Sequence, residues 1–141
     1  MLKKISKYFM LGCVGGAVYY LIETIWQTDH TSHWSMLILG ALCFLILGEL
    51  NELFDWDMPI WLQCLIGSFV ITVLEFITGC IVNLWLDWNV WHYDKFDILG
   101  QICLPYSLLW ILLSGVAIVI DDWLRYWFFG EEKPHYTWRI K

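Results

Sequence analysis

Two glutamates, Glu23 and Glu75, stand inside long runs of apolar residues. An ionised acid in such a run costs about 2.5–3.5 kcal/mol at mid-membrane on insertion scales. Two carboxylates kept at that cost have a chemistry open to them: to share a proton, to hold a cation or to anchor a polar solute. The structural alternative is that each accepts a hydrogen bond from a neighbouring helix. Glu23 lies 16 residues past Lys7, and Glu75 lies 16 residues past Pro59. At 1.5 Å per residue both sit roughly 24 Å from one boundary, at one level in the far half of a bilayer.

Further polar residues keep to the same helical face as Glu75. Cys64, Ser68, Thr72, Glu75, Gly79 and Asn83 follow one another at steps of three and four, the spacing of a single helix face. Gly12, Gly16, Tyr20, Glu23 and Gln27 repeat those steps upstream, and Gly12-x-x-x-Gly16 would let two backbones approach closely. The stretch from Trp88 to Asp97 is the richest polar segment, with Trp91 and Asp94 inside it. Asp97 is expected to cap the helix that follows, and Pro105 to bend it and free carbonyls near Gln101. The candidate ligand-binding set is therefore Glu23, Glu75, Asn83, Trp91, Asp94 and Gln101.

Other chemistries find no support. His30 and His33 stand three apart beside Asp29, too little for a metal site, and no cofactor is expected. No nucleophile–base pair, Walker lysine or glycine-rich phosphate loop occurs, so the chain reads as a non-enzyme. The net charge of −6 has the wrong sign for a nucleic-acid surface. The five cysteines all fall in apolar runs without a C-x-x-C, and read as packing residues.

These residues need elements to hold them. The chain has 141 residues, of which 60% are hydrophobic and only 16% charged; soluble domains are about 25% charged. Four runs reach the roughly 20 residues needed to cross a hydrocarbon core: about 8–26, 34–54, 60–86 and 98–120. Continuous rather than alternating runs mean helices, since only helices or closed barrels satisfy their backbone in lipid. The expected fold is all-α, one four-helix membrane domain over 1–141, with a cytoplasmic C-terminal tail at 121–141 whose last residues, through Pro134, look short and loose. Residues 121–129 continue the fourth helix or lie along the inner surface, and Gly130 should end that segment. The opening Met-Leu-Lys-Lys is taken as part of a retained first helix.

Orientation follows from the cations. Lys3, Lys4, Lys7, Arg125, Lys133, Arg139 and Lys141 lie in the two tails, and Lys95 alone lies between helices three and four. Positive residues stay inside, so both termini are expected on the cytoplasmic side. Trp26, Trp34, Trp85, Trp88 and Trp91 then mark the outer boundary. Trp56, Trp61, Trp123, Trp127 and Trp138 mark the inner one. A duplicated helical hairpin is also indicated. Ile38–Cys43 matches Ile98–Cys103, and Leu21-Ile22-Glu23 matches Val73-Leu74-Glu75.

One family shares these motifs. Leu74-Glu75-Phe76-Ile77-Thr78-Gly79, then Trp91-His92-Tyr93-Asp94, then Gly100-Gln101-Ile102-Cys103-Leu104-Pro105-Tyr106-Ser107-Leu108-Leu109-Trp110 resemble the ABC-transporter type IV (CmpB-like) permease family of small bacterial membrane proteins. The resemblance covers about 70–115, and the first helix only through Tyr19–Glu23. The family usually has a Trp-Asp-Tyr-Ser-like segment where this chain has Trp-His-Tyr-Asp. It also has an Arg-Gly and Gly-Pro-rich lead into helix two that is absent here. The resemblance implies a transporter or permease-like component of the bacterial cytoplasmic membrane, partnered by a separate ATPase subunit or by self-association. A non-transporting scaffold or assembly protein, or a phage-type holin, are the alternatives.

Overall fold

A computed structural model describes residues 1–54 and 56–140; Lys141, counted above among the tail cations, lies outside the described residues. Helices α1 (Leu2–Trp26), α2 (Trp34–Gly48), α3 (Leu50–Leu53), α4 (Ile60–Gly79) and α5 (Leu104–Phe129) carry the fold. A π-helical segment, Cys80–Trp85, prolongs α4, and α3 prolongs α2. Four spans are thus long and apolar enough to cross a membrane: Leu2–Trp26, Trp34–Leu53, Ile60–Trp85 and Leu104–Phe129. The chain is a membrane protein of all-α architecture.

The outer surface is apolar, and much of the polar chemistry is inside. Phe69 and Leu112 are exposed on α4 and α5, whereas Glu75, Asp121 and Arg125 are buried. A water-soluble globule has the reverse arrangement. The apolar core joins Leu39, Cys43 and Leu47 of α2 to Ile71 of α4 and to Trp110 and Ile118 of α5. All five cysteines are free; Cys43 and Cys103 are buried, Cys64 and Cys80 half-buried, and Cys13 is exposed, so not all of them pack in the core.

α1 pairs with α2, and α4 with α5, as two helical hairpins. The first pair crosses closely because side chains are missing where the backbones meet. A Cβ on Gly16 would stand 2.7 Å from the Leu37 carbonyl oxygen, and one on Gly15 would overlap the Phe44 ring. Gly12 meets only side chains, Leu45 at 3.4 Å and Ala41 at 4.0 Å, so the close approach belongs to Gly15 and Gly16 rather than to Gly12. Between α4 and α5 the polar stripes meet each other. Ser68 donates to the Ser107 carbonyl at 2.5 Å, and Thr72 donates to the Ser107 hydroxyl at 3.2 Å.

The fourth span begins later than the sequence indicates. Residues 98–103 are not its first turns. Instead β1 (Asp97–Ile98) and β2 (Ile102–Cys103) form a small antiparallel hairpin, with Asp97 opposite Cys103. Its turn places Leu99 at φ 53° and Gly100 at φ 70°, a backbone region that ends a helix. Asp97 therefore does not cap α5; its carboxylate accepts the Gly100 N–H at 2.6 Å inside the turn. Pro105 falls in the first turn of α5, where no N–H is required, so it starts the helix and does not bend it. The matched motifs Ile38–Cys43 and Ile98–Cys103 consequently differ in conformation, the first mid-helix and the second a hairpin.

α5 continues through residues 121–129 and ends at Gly130, which takes the left-handed conformation with φ 66°, as expected. The tail beyond it is not loose. Ile60 N–H donates to Thr137 O at 2.9 Å, Trp61 Nε1 to Trp138 O at 3.1 Å, and the Tyr136 hydroxyl to Asp122 at 2.9 Å. Lys7 meets Glu131 at 2.5 Å. Both termini therefore lie at one end of the bundle, called proximal below. The 27–33 and 86–103 segments lie at the other, distal end, where Trp34 packs on Trp88 with ring centroids 5.5 Å apart.

Candidate functional site

Glu75 is the centre of the distal end. It is 2% exposed on α4, and each carboxylate oxygen has a donor from another element. The Tyr93 hydroxyl donates to Oε1 at 2.7 Å, and Trp110 Nε1 donates to Oε2 at 3.0 Å. One donor comes from the distal loop and the other from α5, so Glu75 ties three elements together. Burial pushes the Tyr93 phenol well above its ordinary range, and the adjacent Glu75 carboxylate pushes it further. Tyr93 is thus fixed as a neutral donor.

A cavity of about 410 Å³ opens beside this cluster. Glu75 and Glu23 both line it, which unites the two glutamates of the matched Leu-Ile-Glu and Val-Leu-Glu motifs. Glu23 accepts from Gln27 Nε2 at 2.9 Å on its own helix. Trp91 lines the cavity as well, together with Tyr19, Trp26, Tyr93, Tyr106 and Trp110. Tyr19 stacks on Trp110 with centroids 5.8 Å apart, and Trp26 Nε1 donates to the Tyr106 hydroxyl at 2.8 Å. Among the described residues no Lys or Arg lines this space. Two carboxylates within aromatic walls can hold a cation through charge and through ring faces.

The other three residues singled out from the sequence do not reach the cavity. Asn83 and Gln101 are buried in a hydrogen-bonded lock. Asn83 Nδ2 donates to Gln101 Oε1 at 2.8 Å, and Asn83 Oδ1 accepts the Val90 N–H at 2.6 Å. Gln101 Nε2 donates to Leu99 O at 2.8 Å, and Trp91 Nε1 donates to Gln101 O at 2.9 Å. The wide π turn of Cys80–Trp85 carries Asn83 into this position. These groups hold the distal loop, which in turn presents Tyr93 to Glu75. Asp94 is exposed and stands 3.5 Å from His92, so it belongs to the surface rather than to the cavity.

A second polar centre lies at the proximal end, and helix-face spacing alone did not reveal it. Arg125 is 2% exposed. It reaches Asp121 at 2.5 Å and Glu49 at 2.8 Å. Beside it Asn51 Nδ2 donates to Asp122 at 2.7 Å, and Gln63 Nε2 donates to Asn51 Oδ1 at 2.8 Å. Glu49 at the end of α2 and Asp121 of α5 are thereby joined to one arginine, beside a chain of bonds from Gln63 through Asn51 to Asp122. The signal in the sequence was the Asp121/Arg125 pair at i, i+4 within an apolar helix. A cavity of about 290 Å³ adjoins this network. The two polar cavities share no lining residue.

Among the described residues no group of three His, Cys, Asp or Glu side chains is placed to hold a metal ion. No curated protein and no solved structure matches the chain. A family described as "Putative ABC-transporter type IV" matches residues 7–137, well beyond the 70–115 stretch whose motifs are quoted above. The match takes in all four spans, both glutamates and the Arg125 network, and the chain belongs to this family.

Proposed function

We propose that the chain is the membrane component of a transport system and that its distal cavity receives a cationic solute of ammonium type. The observation that carries this reading is the pairing of Glu23 and Glu75 in one aromatic-walled cavity, which His92 also lines but no Lys or Arg does. An ammonium in that space gains charge complementarity from the carboxylates. It also gains cation–π attraction, worth about 2 kcal/mol or more once desolvated. The role is binding and passage, without covalent catalysis.

The termini carry most of the Lys and Arg residues, so the proximal end faces the cytoplasm of a bacterial cell and the cavity opens outward. An ATP-driven cycle draws its nucleotide-binding subunit from another chain, because this sequence has no phosphate-binding loop. The test is calorimetric titration of tetramethylammonium into the protein held in lipid nanodiscs. Saturable binding that weakens at least tenfold in Glu75→Gln supports the reading. Absence of binding, or equal binding to the Glu23→Gln/Glu75→Gln double variant, overturns it.

A further inference from the structure

Tyr19 and Trp110 have two faces. On one side they line the polar cavity, and on the other they line an apolar crevice between α1 and α5. The crevice floor is Gly40, Cys43 and Phe44 of α2. Its rims are exposed: Val18 and Ile22 on α1, Val116 and Ile120 on α5. The opening therefore faces the lipid. From Trp110 to Ile120 the crevice follows α5 for about 15 Å, the thickness of half the hydrocarbon core.

A polar, acidic chamber that adjoins an apolar slot open to the bilayer, with the stacked Tyr19 and Trp110 rings as their shared wall, has the outline of an amphiphile. A water-soluble ion would have no use for the slot, and a wholly apolar molecule would leave the two carboxylates unmatched. Charge complementarity specifies the head: an ammonium, because the chamber offers two acids and aromatic faces, and neither Lys nor Arg lines it. Width specifies the tail. Tyr19 of α1 approaches so close to Gly40 that a Cβ there would overlap its side chain. The slot floor is thus tightly packed backbone and ring, and the slot holds only about 80 Å³, which suits a slender chain better than a ring system.

We infer that the cavity takes a membrane amphiphile with an ammonium headgroup, which enters sideways from the bilayer between α1 and α5 and lays its alkyl chain along the crevice. This rests on the cation site proposed above, and it adds the substrate class and the route.

The probe is dodecyltrimethylammonium carrying a diazirine near the end of its chain, applied to the full-length protein in nanodiscs. After illumination, mass spectrometry maps the labelled residues. Expected labels fall on Val18, Ile22, Leu113, Val116 and Ala117. Excess tetramethylammonium suppresses them at least tenfold by competing for the head site. Glu75→Gln lowers them similarly, and Ala117→Leu, which narrows the slot, lowers them through the tail. Labels spread evenly over the lipid-facing helices and unmoved by tetramethylammonium overturn the amphiphile. In that event saturable tetramethylammonium binding by calorimetry leaves the cation site standing, whereas its absence removes both.

Discussion

Replacing Glu75 separates its charge from its bonding. The carboxylate accepts from Tyr93 Oη at 2.7 Å and from Trp110 Nε1 at 3.0 Å. Indole N–H can only donate, whereas a tyrosine hydroxyl can donate or accept. In Glu75→Gln the amide oxygen therefore keeps the Trp110 bond, and the amide NH2 donates to Tyr93. Both bonds survive in neutral form, each weaker than its charge-assisted version, for a loss of about 1 kcal/mol. Glu75→Leu keeps neither. Trp110 is buried and bears the full cost of an unpaired donor, while half-buried Tyr93 turns partly to solvent. At about 1–3 kcal/mol per orphaned group the total is about 2–4 kcal/mol. The assay is unfolding in mild detergent titrated with dodecyl sulfate, followed by circular dichroism. Tetramethylammonium titration is run on the same samples. Gln should fold nearly as the parent and lose binding, and Leu should lose both. A Gln variant as unstable as Leu, or a Leu variant as stable as the parent, refutes this account of how Glu75 is held.

Three further outcomes are expected. Arg125→Met leaves Asp121 buried without its cation and should cost about 3–5 kcal/mol in detergent unfolding; adding Asp121→Asn should recover part of it, and a double variant no better than the single would sink the pairing. Asn83→Ala removes the acceptor of the Val90 N–H and should speed amide exchange at Val90 and Trp91 about tenfold or more, while the amides of α2 keep their rate. Burial raises the phenols of Tyr93 and Tyr136 above their ordinary 10.0; the unfolded chain loses those protons first, so their stabilising contribution is full below pH 10 and declines above it. In Tyr93→Phe that decline should be shallower by up to about 1.4 kcal/mol per pH unit, and an unchanged alkaline slope would count against the buried phenol.

The spans were legible because lipid demands long apolar runs, and residues such as Leu39–Leu47 could serve no other element of that length. Glu75 was legible for the complementary reason, as a costly group kept inside such a run. The start of α5 was not. Ile98 and Leu99 are as apolar as any helical residue, and only the left-handed backbone at Leu99 and Gly100 turns them into a hairpin. Asn83 and Gln101 were read as ligand-binding groups, whereas they bond to each other and to the distal loop; helix-face spacing cannot say whether such a group points to a cavity or to a folded loop. Arg125 was counted only as a positive tail residue. Its burial depends on Glu49, from the end of α2, arriving beside Asp121 of its own helix, which is a tertiary event. The tail looked loose because its polar residues have no periodicity, while its anchors, Tyr136 to Asp122 and Thr137 to Ile60, join positions distant in the chain.

Two hydrogen-bonded contacts tie α1 to α5 and the tail just beyond it, at opposite ends of α1: Trp26 to Tyr106, and Lys7 to Glu131. Between them the α1–α5 seam behaves as a buttonhole, stitched at top and bottom. Held at both ends, such a seam would open by bowing of the helices and not by separation of the ends. A slender flexible chain slips through such a slit; a broad rigid body does not. Cutting one stitch, for example with Trp26→Phe, would turn the slit into an open fork and relax that sieve without touching either glutamate.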